Sequence, residues 1–225
     1  MRKFAFFAAI LAVTPVVLNN PASAQSTASA NSRIALGTIE QPVPTSRFMR
    51  VHGQALPPYG FVRFCIQYDK ECRPDNRPTT RVVAGPDRLS QLDTINRRVN
   101  TAIKPATDRE IYGVDEYWTF PVNRGDCEDY VILKRKLLMD QGWPASTLLI
   151  TVVLDERGEG HAVLTARTAQ GDFILDNKVN DVRLWSQTPY SYVMRQSYLD
   201  PRVWVSLDSG VSTSPNAIAG VRSTR

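Results

Sequence analysis

The first hydrophobic feature of the chain is an apolar run from Phe4 to Leu18, preceded by Arg2 and Lys3 and followed by Pro21-Ala22-Ser23-Ala24-Gln25. A basic start, an apolar stretch shorter than the ~20 residues a bilayer-spanning helix needs, and a small-residue A-x-A site predict a cleavable secretion signal over residues 1–24. No later run is long and apolar enough to span a bilayer. The next strong pattern follows Asn123-Arg124-Gly125-Asp126. From Cys127 to Asp140 the residues favour a helix, with acids in the first turn and bases later, and Gln141-Gly142 ahead of Pro144 supplies a stop. Cys127 is therefore expected to open a helix. Farther on, the apolar runs Ala162 to Ala166 and Phe173 to Leu175 flank the polar stretch Arg167-Thr168-Ala169-Gln170-Gly171-Asp172. This pattern predicts an antiparallel hairpin that turns near Gln170-Gly171.

Composition adds boundaries. Residues 25–46 begin Ser/Ala/Asn-rich and are expected to be flexible, and the Ser/Gly/Thr-rich residues 206–225 are expected to form a disordered tail. Residues 47–205 then form one domain, a size at which a single core is the default. No internal repeat or glycine-rich phosphate loop is present. The formal charge of +5 falls to +3 once Arg2 and Lys3 leave with the signal. So small a surplus gives no reason to expect a nucleic-acid partner.

The chain has three cysteines and two histidines. In an oxidising compartment neighbouring cysteines pair, and Cys65 and Cys72, seven residues apart, can close a small loop. That leaves Cys127 odd, either a buried inert thiol or one kept free for reaction. A helix N-terminus favours a thiolate, although Asp126, Glu128 and Asp129 oppose it unless they point away or bind a cation. A cysteine nucleophile needs a base. His52 reads as a surface residue, whereas His161 lies in Gly158-Glu159-Gly160-His161-Ala162-Val163-Leu164, whose glycines allow close approach of backbone or substrate. Folding the hairpin brings Asp176 to within about two positions of the point opposite His161, where its carboxylate could accept the Nδ1–H of the imidazole. Asp172 and Asp181 remain alternatives if the register differs.

Three segments, Gly125-Asp126-Cys127-Glu128-Asp129-Tyr130, Gly160-His161-Ala162-Val163-Leu164 and Leu175-Asp176-Asn177, resemble in order and spacing the bacterial transglutaminase-like cysteine peptidases. The likeness runs from about Phe48 to Trp204 and includes Pro57-Pro58-Tyr59-Gly60-Phe61-Val62-Arg63-Phe64-Cys65. It implies an α+β, papain-like transglutaminase core, with a nucleophile helix packed on an antiparallel sheet. It further implies acyl transfer by Cys127, His161 and Asp176, in a periplasmic enzyme acting on a protein substrate, with a large surface adhesin and an inner-membrane regulatory receptor as suggested partners. Calcium near the active-site helix is also implied, with Asp115 and Asp129 as the expected ligands and Glu128 as a third. The chain is expected to be a monomer. Transamidation, or a catalytically silent binding protein, would be the rival outcome, but none of the three reactive residues is missing.

Overall fold

The structure, a computed structural model, describes residues 46–209. The predicted signal over residues 1–24 and nearly all of the flexible segment and tail lie outside the described residues. The elements run β1 (Gly53–Ala55), α1 (Tyr59–Gln67), α2 (Pro86–Ala102), β2 (Lys104–Pro105), α3 (Asp108–Tyr112), β3 (Arg124–Gly125), α4 (Cys127–Asp140), β4 (Leu148–Leu154), β5 (Gly160–Thr168), β6 (Gly171–Leu175), β7 (Arg183–Leu184), β8 (Ser191–Gln196) and β9 (Trp204–Ser206).

Seven strands make one sheet in the order β1-β9-β8-β4-β5-β6-β7, with every neighbouring pair antiparallel. Its centre is β4, whose sequence Leu-Leu-Ile-Thr-Val-Val-Leu is buried along six of its seven residues, as expected of a strand with cover on both faces. Alternation divides the side chains. Leu148, Ile150 and Val152 join Ala162, Leu164, Ala166 and Leu175 in a large core with Tyr130, Val131 and Leu138 of α4 and Leu92, Ile95 and Val99 of α2. Val153, Val163 and Ile174 belong to a smaller second cluster with Met49. The architecture is thus α+β, with α4 laid on an antiparallel sheet.

The hairpin forms as β5 and β6, in register from Leu164↔Leu175 to Thr168↔Gly171. Its loop is Ala169-Gln170, one residue earlier than predicted, because the Thr168 hydroxyl takes the Gly171 N–H at 3.2 Å and draws the turn tight. Cys65 and Cys72 form the expected disulfide, which ties the end of α1 to the turn after it. The sheet runs slightly past residue 205: Ser206 pairs with Gly53 and Met194, and the Leu207 N–H reaches the Val193 carbonyl at 2.9 Å.

Candidate active site

Helix α4 begins where Asp126, in extended backbone geometry, turns the chain out of β3. The preceding Gly125 is required by space, since a Cβ there would stand 2.6 Å from Asp129 Oδ2 and 2.8 Å from Asp129 Cβ. Gly125→Ala should therefore displace the first turn of α4 and destabilise the protein by about 1–3 kcal/mol, measurable as a lower denaturation midpoint. The helix ends as predicted. Gly142 takes a left-handed φ of 84°, and the Gly142 and Trp143 N–H groups bond the Met139 and Leu138 carbonyls. This leaves Cys127 in the first turn, free and half-buried. Its thiol contacts Glu128 Oε2 at 3.2 Å, and the Ala162 backbone N–H is near enough to act on its sulfur. Sγ thus lies against the residue that follows His161.

The thiol is not lowered as helix position alone would suggest. Burial, followed by the Glu128 and Asp126 carboxylates, pushes it well above its ordinary value, and the Ala162 N–H acts in the opposite direction. Burial and the flanking acids together outweigh the favourable helix position.

His161 is 3% and Asp176 4% exposed, and His161 Nε2 lies 2.9 Å from Asp176 Oδ1. Strand pairing stops at Leu164↔Leu175, so the position facing His161, if extended, would be Lys178. Asp176 reaches it diagonally from two residues away. The nitrogen engaged is Nε2, not the expected Nδ1, which leaves Nδ1 clear of the carboxylate. Asp176 is itself held on all sides. The Lys178 N–H donates to Oδ1 at 2.9 Å, the Tyr190 hydroxyl donates to Oδ2, Asn96 Oδ1 accepts the Asp176 N–H at 3.1 Å, and Asn100 Nδ2 donates to its carbonyl at 2.9 Å. Burial works to raise this carboxyl, but the bonds from His161, Tyr190 and Lys178 outweigh it and keep Asp176 below the ordinary range. The Tyr190 ring meets the imidazole edge-on at 5.7 Å. The two alternatives fall elsewhere: Asp172 is ion-paired with Arg81, and exposed Asp181 with Arg97 and Arg183.

Beside Cys127 lies a group of carboxylates. Asp108, Asp126 and Glu128 each present an oxygen within 4.8 Å of the others. Asp129 and Glu116 border them, and among the described residues none of the five has a basic ion-pair partner. Burial, then Asp126, pushes Asp108 up to about 7; burial, then Asp126, pushes Asp129 up to about 8. Burial likewise raises Glu116, Asp126 and, strongly, Glu128. Of the three expected ligands, Glu128 belongs to the close group. Asp129 sits next to it with Oδ1 taking the Thr119 N–H at 3.0 Å and Oδ2 buried without a partner. Asp115 does not belong: its side chain is 82% exposed and ion-paired with Arg109. Sequence reasoning passed over Asp108, which the capping box Thr107-Asp108-Arg109-Glu110 would have placed in the first turn of a helix.

The residues fit a hard cation. Asp108 Oδ1 and Asp126 Oδ1 are buried with no hydrogen-bond partner, and the donors are all carboxylate oxygens, the type calcium takes.

A free cysteine at the head of a helix, against a strand that carries a histidine bonded to an aspartate, defines a papain-like thiol enzyme. Residues 51–212 match the family described as bacterial transglutaminase-like cysteine proteinase, and the chain belongs to that family and is a cysteine peptidase. Among solved structures it is similar to LapG of Legionella pneumophila in calcium-bound form, with 27% identity over 58% of this chain and 75% of that one and a TM-score of 0.47. Two further structures of the same protein also align. One matches at 29% identity over 50% of this chain and 65% of that one, with a TM-score of 0.42. The other, EGTA-treated, matches at 24% over 62% and 77%, with a TM-score of 0.45. No curated protein matches the chain.

Proposed function

We propose that the chain is a periplasmic endopeptidase in which Cys127 is the nucleophile, His161 the general base and acid, and Asp176 the group that orients the imidazole. One observation carries this reading: Cys127 stays unpaired at the head of α4, and the buried His161 on β5 has its Nε2 occupied by Asp176 at 2.9 Å. The thiol proton passes to His161 Nδ1 as sulfur attacks the peptide carbonyl carbon. The resulting oxyanion is within the province of the Cys127 N–H, which opens the helix and has no intrahelical acceptor. His161 then delivers its proton to the amide nitrogen, the C–N bond breaks, and the amine leaves. Water, deprotonated by the same nitrogen, cleaves the thioester and restores the thiol.

Calcium is assigned to Asp108, Asp126 and Glu128, with Asp129 alongside, on the strength of their spacing and their unpartnered oxygens. When bound, the ion supplies positive charge beside the helix N-terminus and so offsets the carboxylates that oppose a thiolate. A periplasmic location is supported by the leader pattern and by the Cys65–Cys72 disulfide, which suits an oxidising compartment. The proposed substrate is a large cell-surface adhesin, with an inner-membrane receptor as regulator and biofilm release as the outcome.

The test is to incubate the mature protein with candidate envelope proteins in H₂¹⁸O and map the products by mass spectrometry. A discrete cut whose new C-terminus carries ¹⁸O is expected. Cross-linked or amine-modified products without ¹⁸O would assign the acyl-enzyme to transamidation instead.

A further inference from the structure

At the opposite end of β5 from His161, three arginines lie around one carboxylate. Arg81 takes Asp172 for itself, donating to Oδ1 at 2.6 Å and to Oδ2 at 3.3 Å, and the remaining acceptor capacity of Oδ2 goes to the Met49 N–H at 2.8 Å. Asp172 is the residue directly across the ladder from Arg167, the partner that cross-strand pairing would supply. Arg167 is left without it. Its guanidinium is 5.0 Å from the Tyr198 ring centroid, and Nε and Nη1 are buried with no hydrogen-bond partner. Arg195, on β8, bonds the Gln196 carbonyl through Nη1 at 3.1 Å, and its Nε is likewise unpartnered. Arg167 and Arg195 are only 6% and 3% exposed, and the two repel each other.

Burying unpaired charge is costly, and most side chains escape the cost by becoming neutral. Lys134 illustrates that route: it is fully buried, its Nζ has no hydrogen-bond partner and lies 5.7 Å from the Tyr130 ring centroid, and burial brings it down to about 7, with Asp176 opposing. Guanidinium cannot follow at neutral pH. Burial, followed by repulsion from Arg167, brings Arg195 only to about 10, so it keeps its proton. Asp172 is the one carboxylate acting on both guanidinium groups, already engaged by Arg81, and a bound anion would supply the missing negative charge and hydrogen-bond acceptors.

We propose that Arg167 and Arg195 form a binding site for a small oxyanion, a phosphate, sulfate or carboxylate, beside Tyr198. Tyr198 lies half-buried in the β8–β9 connection and packs over Arg167. The six-residue step from His161 to Arg167 along β5 spans roughly 20 Å, so the site is separate from the reactive thiol.

The experiment is thermal unfolding of the mature protein in phosphate, sulfate or acetate against chloride at matched ionic strength, with EGTA present so that no calcium salt forms. At least one oxyanion should raise Tm saturably, by about 4 °C at ten times its Kd. Arg167→Met and Arg195→Met should each remove the saturable part, whereas Arg63→Met, an exposed arginine on α1, and Cys127→Ala should keep it. The proposal is overturned if all three oxyanions act like chloride, or if the rise survives in both Arg167→Met and Arg195→Met. Should those variants not fold, ³¹P line broadening of inorganic phosphate by the unmutated protein, relieved by excess sulfate, decides the matter, and its absence overturns the site.

Discussion

Cys127→Ala should lower kcat/KM for peptide cleavage by roughly 10⁴-fold or more while leaving Tm within about 2 °C. The side chain is half-buried at the margin of the core, and replacing its thiol removes only the contact to Glu128 and the approach to the Ala162 N–H, so the fold has little to lose. Chemistry loses its nucleophile altogether. The same argument fixes what happens next: His161→Ala placed on top of Cys127→Ala should cost almost nothing more, because the imidazole acts only through the sulfur. Asp176→Asn should behave differently. It keeps the backbone bonds to Asn96 and Asn100 but weakens the hold on Nε2, so a loss of roughly 10²–10⁴ in kcat/KM is expected. Competitive labelling with iodoacetamide gives a second readout free of any substrate. Retention of cleavage by Cys127→Ala, or additive losses in the double variant, would remove Cys127 from the mechanism.

The parts of this site that local sequence controls were legible in the chain, and the parts set by distant contacts were not. Helix α4 carries its own start and stop, an extended Asp126 and a left-handed Gly142, and both stand where the residues predict. The β5–β6 hairpin is a short-range structure with a polar loop, so its register was readable to one residue and brought Asp176 near His161. By contrast, β8 and β9 join the sheet by pairing β4 and each other at long range, which no local pattern announces. The ring nitrogen facing Asp176 depends on how Tyr190 and the Lys178 N–H seat the carboxylate, a matter of tertiary packing. Asp115 looked like a ligand because it precedes the nucleophile loop in sequence. In space it is an exposed partner of Arg109, while Asp108, farther upstream, is delivered to Asp126 by a helix of only five residues.

Without calcium, the protein should become less stable as pH rises from about 4 to about 8, and calcium should suppress that loss. The sign follows from which state holds the protons. In the folded chain Asp108 titrates near 7 and Asp129 near 8, against 3.8 for each without the fold, both chiefly because of burial. Between those values the folded state keeps protons that the unfolded state has released, so each upward step in pH favours unfolding until the folded groups also ionise. Asp155 and Asp176 are depressed and lose their stabilisation only as pH falls through their own low values, so they leave this window untouched, and Lys134, brought down to about 7 by burial, opposes the loss only above pH 7. With Asp108 and Asp129 only 1% and 0% exposed, the combined effect is on the order of several kcal/mol, or roughly 10 °C in Tm between pH 5 and pH 8 in EGTA. Saturating calcium at pH 8 should restore about 5–10 °C, since the ion occupies the place the protons held. Asp108→Asn should both flatten the EGTA profile and blunt the response to calcium, because it removes one titrating group and one ligand together. A flat Tm between pH 5 and pH 8 in EGTA would mean that the carboxylates beside Cys127 do not carry the protons assigned to them, and an undiminished calcium response in Asp108→Asn would move the ion elsewhere.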